Sequence, residues 1–361
     1  MPAERAAFSE ARSGPALTLV DRCAGVRVLT WHGEMLYASR GYELVCGTFD
    51  GARVRWRTVG RYRPPLWRAL TCRNRLSFRL VRDGFHALAV LPSGHLIGAV
   101  PGAIVTLKPG KSEFVLTHRI TRGTRPLHIT ATPEGKAFFG EYFNNASRDE
   151  VHIYGSADCG ASWQIAYTFP RGAIRHVHNI VHDPWEHCLW VFTGDNGGEC
   201  RILRASPDLK MIDTAMSGNQ QARAVAAVPA SDGLYFASDT PLEANHVYRL
   251  DRRGNVSVTA DLESSSIEGC RVGDSIFFST MVEPSEVNSG KRVRLYGSVR
   301  GETWRCLLEW QKDRWPMQFF QYGNAFVPTG ENQTDYLAVS TVAVEDEDLV
   351  TSIYKVERGS E

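Results

Sequence analysis

Ser156-Ala157-Asp158-Cys159-Gly160-Ala161-Ser162-Trp163 separates two alternating apolar runs, Val151, Ile153, Tyr154 before it and Trp163, Ile165, Tyr167 after it. The spacing S-x-D-x-G-x-x-W has a mechanical reading. The Ser156 hydroxyl and the Asp158 carboxylate can bond backbone N–H groups inside a tight turn, and Gly160 supplies a positive φ. Trp163 then folds back to plug the gap beneath the hairpin. The stretch predicts two strands joined by a turn that its own side chains staple. It is a structural fastener and carries no chemistry.

Outward from this hairpin, one phrase recurs at roughly forty- to sixty-residue spacing: apolar run, turn, apolar run. It reads His86-Ala-Leu-Ala-Val-Leu-Pro92, Leu127-His-Ile-Thr-Ala-Thr-Pro133, His178-Asn-Ile-Val-His-Asp-Pro184, Arg223-Ala-Val-Ala-Ala-Val-Pro229 and Tyr322-Gly-Asn-Ala-Phe-Val-Pro328. Two further copies, near Val26 and Gly269, lack the proline. Proline cannot donate to a ladder, so it marks the turn after each first strand. Each phrase is the inner hairpin of a four-stranded blade, and the whole is an all-β propeller. Inner hairpins starting near residues 26, 86, 127, 178, 223, 268 and 321 count seven blades, with six as the alternative. Degenerate copies of the fastener follow third strands at Ser206-Pro207-Asp208 and Ser298-Val299-Arg300-Gly301-Glu302-Thr303-Trp304. The last blade runs out after Ser352-Ile-Tyr-Lys-Val, so Leu17-Thr-Leu-Val-Asp21 is expected to supply its fourth strand and close the ring.

Ser156, Asp158, Gly160 and Trp163 make this chain resemble the Asp-box (BNR-repeat) proteins of the sialidase-like β-propeller superfamily. That superfamily contains sialidases, other glycosidases, glycan-binding propellers and non-enzymatic members, so the resemblance implies a fold and a leaning toward carbohydrate. Sialidases carry an Arg-Ile-Pro element and an arginine triad. Arg63-Pro64-Pro65 departs from that element, and no triad can be assigned.

Composition fits one large β domain over residues 16–361 behind a flexible tail at 1–15: 43% hydrophobic, 10% aromatic, 32 Gly and a net charge of +1. The eight cysteines form no C-x-x-C pair and read as free, small hydrophobes in a reducing cytoplasm. Met1 to Phe8 has no signal-peptide apolar core, and no run reaches membrane-spanning length.

Charge is segregated. Arg53 to Arg82 holds ten Arg and no Asp, Glu or Lys, and at about 60–82 it forms an insertion between blades one and two. Pro65-Leu-Trp-Arg-Ala-Leu-Thr reads as a short helix opened by proline. Arg61, Arg63, Arg68, Arg73 and Arg75 could meet an anionic membrane surface or an acidic or lipid-linked oligosaccharide. Alternatively they pair with the acidic remainder of the chain. No nucleic-acid reader motif accompanies them.

Ligands of propellers sit at one mouth of the central channel, where loops entering first strands and leaving second strands converge. Those loops offer His86, His128, Arg175, His176, His178, Arg223, Glu268 and Tyr322, then Glu141, Tyr142, Asp195, Asp239, Glu243, His246 and Glu283. His176, His178 and His182 share one strand face by the period of two, so a divalent metal is open to them although no third ligand is fixed. His178 or His176 could act as base, Tyr142 as acid and Arg223 as carboxylate neutraliser in an elimination. Carboxylate pairs drawn from Glu141, Asp195, Asp239 and Glu268 could hydrolyse a glycosidic bond. Substrate contacts fall to His86, His128, Glu268, His246 and Tyr322. The leading expectation is a glycoside hydrolase or polysaccharide lyase of bacterial polysaccharide metabolism. A non-catalytic glycan- or protein-binding propeller and a peripheral membrane scaffold are the other readings.

Overall fold

The computed structural model describes residues 14–51 and 53–357, so most of the tail expected at 1–15 lies outside the described residues. Seven antiparallel sheets follow one another along the chain, which settles the count at seven blades. Inner strands begin at Arg27, Ala87, Thr130, His176, Ala224, Ser266 and Asn324, within three residues of the expected starts.

Each blade is covered by a neighbour on both faces, which explains why the second strands read as unbroken apolar runs. Cys188–Gly194, Gly233–Ser238 and Ser275–Thr280 are buried at every position. The core is therefore not central. It is divided among apolar clusters that fill all seven blade interfaces, such as Phe138, Ile153, Val177 and Val191 between blades 3 and 4.

Strand Ala16–Ala24 pairs antiparallel with Val350–Glu357 as the outermost strand of blade 7. A second clasp lies at the axis: Thr329–Asn332, leaving the inner strand of blade 7, runs parallel to Arg27–Gly33 of blade 1.

The Asp-box staples its own turn as expected. Gly160 N–H donates to Ser156 Oγ (2.9 Å), and Ser162 N–H donates to Asp158 Oδ1 (2.9 Å). Its tight turn also latches onto the preceding blade. Thr106 Oγ1 of blade 2 donates to the Gly160 carbonyl (2.8 Å), and a Cβ at Gly160 would lie 2.8 Å from Ile97 Cδ1. Trp163 packs on Phe139 and donates to Thr117 Oγ1 of blade 2. The degenerate boxes do the same with other atoms. Tyr235 OH of blade 5 donates to the Arg300 carbonyl (3.0 Å), and Leu209 is buried in the cluster between blades 3 and 4.

The insertion forms two short helices, α1 (Leu66–Thr71) and α2 (Arg75–Val81), the second capped by the Asn74 side chain. All eight cysteines are free. Among the described residues no helix is long and apolar enough to cross a membrane.

Candidate functional site

First residues of the inner strands point along the axis, so one mouth of the channel gathers side chains from all seven blades. The cavity there holds about 320 Å³. Its two walls have opposite character. Arg27, Arg82, Arg125, His86 and His128 come from blades 1 to 3 and the insertion, whereas Asp239, Glu268 and Glu283 come from blades 5 and 6. Tyr142, His178, Arg223 and Tyr322 complete it.

The basic wall is held in place by neutral histidines. His86 Nε2 lies 2.7 Å from the Arg82 carbonyl and must carry the proton, leaving Nδ1 to accept from Arg27 NH1 at 3.0 Å. Burial and three nearby guanidinium groups keep His86 well below its ordinary value. Burial, then Arg27, lowers His128 to about 4. Arg27 lies over the Phe326 ring, 3.9 Å from its centroid. Burial and the neighbouring Arg27 and Arg82 lower Arg125 to about 9, so it remains a cation at neutral pH. None of Arg27, Arg82 and Arg125 forms an ion pair with a described carboxylate.

Burial acts the other way on the acidic wall. Asp239 rises to about 7 despite Arg223, and its buried Oδ1 has no hydrogen-bond partner. Glu283 is also raised, first by burial. Glu268 rises to about 8, with Arg27 only partly opposing its burial. Its proton is bound more tightly in the folded chain than in the unfolded one, so this residue costs stability as pH climbs from about 4.5 to about 8. Glu268→Gln should match wild type near pH 4.5 and exceed it by ~1 kcal/mol at pH 8.5, a figure reduced for solvent in the channel. Denaturant midpoints at the two pH values check this, and a pH-independent difference would refute it.

Several expected residues stand elsewhere. Glu141 is buried against Arg122 in an ion pair between blades 2 and 3, although Tyr142 beside it faces the channel. His246 begins a third strand and bonds Asp261 (2.8 Å), away from the mouth. Asp195 and His176 lie behind the wall. The register shift at His178 brings it and His176 together but leaves His182 out of line, half-buried near the far end of the strand. His178 Nε2 faces His176 (3.0 Å) and Asp195 (3.2 Å), so it is not directed at a substrate proton. Arg223 is held between Asp195 (3.7 Å) and Asp239 (3.5 Å), which removes it as a free carboxylate neutraliser.

The basic insertion is largely neutralised from within. Arg61 pairs with Glu43, Arg63 with Glu113, Arg68 with Asp83 and Arg75 with Asp348. Arg73 has no ion pair among the described residues. The outward face is instead apolar, with Leu66, Trp67, Leu70, Leu76 and Leu80 exposed. What α2 delivers to the mouth is Arg82, its left-handed C-cap.

No protein-family model and no curated protein matches this chain. Solved structures do. The WD40 β-propeller domain of Doa1 has a TM-score of 0.54 at 12% identity, covering 95% of this chain and 97% of that one. A chain of the Mitotic Checkpoint Complex gives 0.55 at 9% identity, covering 99% and 100%. The GH74 enzyme of Niastella koreensis gives 0.52 at 15% identity, covering 81% of this chain but 46% of its own. At such identities the likeness is to the seven-bladed ring and to nothing finer.

Proposed function

We propose that the channel mouth binds the anionic end of a polyhydroxylated ligand, an acidic glycan, and that Asp239 transfers a proton to or from it. One observation carries this reading. Arg27, Arg82 and Arg125 converge on the cavity outside any ion pair, Arg27 feeling Glu268 only at longer range, while the facing wall presents carboxyl groups whose protonated form burial favours. Like charges held together in a partly desolvated site repel, and an incoming carboxylate or sulfate relieves them. Protonated carboxyls opposite can donate hydrogen bonds to sugar hydroxyls. The volume suits a small ligand or the end of a chain. An acid that titrates near 7 is placed for general acid or base work. The Asp-box resemblance also leans toward carbohydrate.

The test compares acidic oligosaccharides with neutral counterparts of the same length. Wild type should prefer the acidic members, and Arg125→Ala should weaken their binding by ~10-fold or more while leaving neutral sugars unaffected. Asp239→Asn separates the two classes of function. Cleavage abolished with binding retained marks an enzyme, and tight binding without turnover in wild type marks a binding module. Equal affinity for acidic and neutral sugars, unchanged by Arg125→Ala, rejects the proposal.

A further inference from the structure

His176 and His178 are clamped from behind. His176 Nδ1 lies 3.1 Å from the Phe143 carbonyl, and His178 Nδ1 lies 3.1 Å from the Ala224 carbonyl. A carbonyl oxygen only accepts, so both Nδ1 atoms carry their ring protons and donate. In the neutral rings both Nε2 atoms are then bare lone pairs. They are 3.0 Å apart, and Asp195 Oδ1 lies 3.2 Å from one and 3.3 Å from the other. Three acceptors facing one another repel unless a cation sits among them. A single proton joins two of the three and leaves the third opposed. A metal ion engages all three at once.

We infer that His176, His178 and Asp195 bind one divalent transition-metal ion at the edge of the channel. The separations suit it: three atoms 3.0, 3.2 and 3.3 Å apart can all lie ~2.1 Å from one point, the usual bond length for such ligands. The supporting contacts also suit it. Each imidazole has its tautomer fixed by a backbone carbonyl, and Arg175 holds Asp195 Oδ2 at 3.0 Å, while the nearest cation to Oδ1 is Arg223 Nε at 3.7 Å, beyond hydrogen-bond distance. Two imidazoles and one carboxylate favour zinc, cobalt, iron(II) or manganese over calcium or magnesium. The site needs no glycan, so it and the proposed ligand can fail separately.

The probes are Co²⁺ and Zn²⁺ added to full-length protein freed of metal by chelator. Wild type should take up one equivalent, with a visible Co²⁺ spectrum that zinc abolishes. His178→Ala and Asp195→Ala should each weaken uptake by ~100-fold or more. His246→Ala, a histidine on an outer strand, should leave it unchanged. Zinc should raise the thermal midpoint of wild type and not of the two site variants. That shift is read on wild type even where a variant folds poorly. Absence of stoichiometric uptake by wild type, or equal uptake by a folded His178→Ala, overturns the assignment in favour of a shared proton.

Discussion

A chain that begins at Gly25 should not form a stable ring. Without Ala16–Ala24, blade 7 ends at Val350–Glu357, a strand whose backbone groups then face outward as an unpaired edge. Eight registered pairs disappear, from Ala16↔Glu357 to Ala24↔Val350. So do two ties to blade 1, Val54 N–H to Asp21 Oδ2 (3.0 Å) and Trp56 Nε1–H to Cys23 Sγ (3.2 Å). Leu17 and Val20 also leave the clusters on either face of blade 7. The inner clasp of Thr329–Asn332 on blade 1 remains, but it spans only four paired positions. The expected result is an aggregating chain with no cooperative thermal transition, because open edges recruit other strands. A circular permutant distinguishes the missing strand from mere shortening. Ala16 and Glu357 are paired neighbours, so a short linker can join the original ends, with new termini in the exposed Lys108–Lys111 turn. That permutant should unfold cooperatively near the wild-type midpoint. A truncated chain that does the same would show the inner clasp to be the true closure.

The propeller was legible because its physics is periodic. Every blade must present apolar strands to two neighbours, so the inner-hairpin phrase is rewritten seven times, and strand order alone then places the first-strand entrances at one mouth. That logic located His86, His128, Tyr142, His178, Arg223, Asp239, Glu268 and Tyr322 on the cavity. It failed where a single residue decides the face. Glu141 and Tyr142 are adjacent, so the strand period sends one to the blade interface and the other to the channel. His246 lies beyond the loop, already in a third strand. Arg27 and Arg125 carry a usable signal, since they stand at the entrances to the inner strands of blades 1 and 3, the same place that His86 takes in blade 2. The bulge at His178, which brings Asp195 to both histidines, has no mark in the sequence. Nor does charge neutralisation. Counting arginines in one segment cannot see that Arg75 meets Asp348 and Arg79 meets Asp313, each more than 200 positions away.

Arg79→Met should release the helical insertion while leaving the ring folded. Neither α1 nor α2 fully buries an apolar side chain, and Arg79 is the single fully buried residue of the pair. Its guanidinium meets Asp313 and Asp348 and lies over Trp315, 4.5 Å from the ring centroid. Methionine fills much of the space but leaves the nearly inaccessible Asp348 with the half-exposed Arg75 as its one cation, beside the Ala343 N–H (2.6 Å). Breaking a buried pair from one side costs about 3–5 kcal/mol, and because the helices touch the ring's apolar core only through the half-buried Cys72 that caps α1, the loss falls on local opening. At 1.4 kcal/mol per decade, ~3 kcal/mol speeds that opening about 100-fold. Trypsin is the natural reporter, since the segment carries Arg68, Arg73, Arg75 and Arg82, none of them followed by proline. Cleavage between residues 63 and 82 should accelerate by about that factor while the main thermal transition moves little. Affinity for acidic oligosaccharides should fall with it, because Arg82 reaches the mouth only from the folded end of α2. Unchanged cleavage would move the anchor to the other polar tie, where Asp83 holds Arg68 (2.7 Å), Thr71 (2.5 Å) and Tyr42 (2.8 Å).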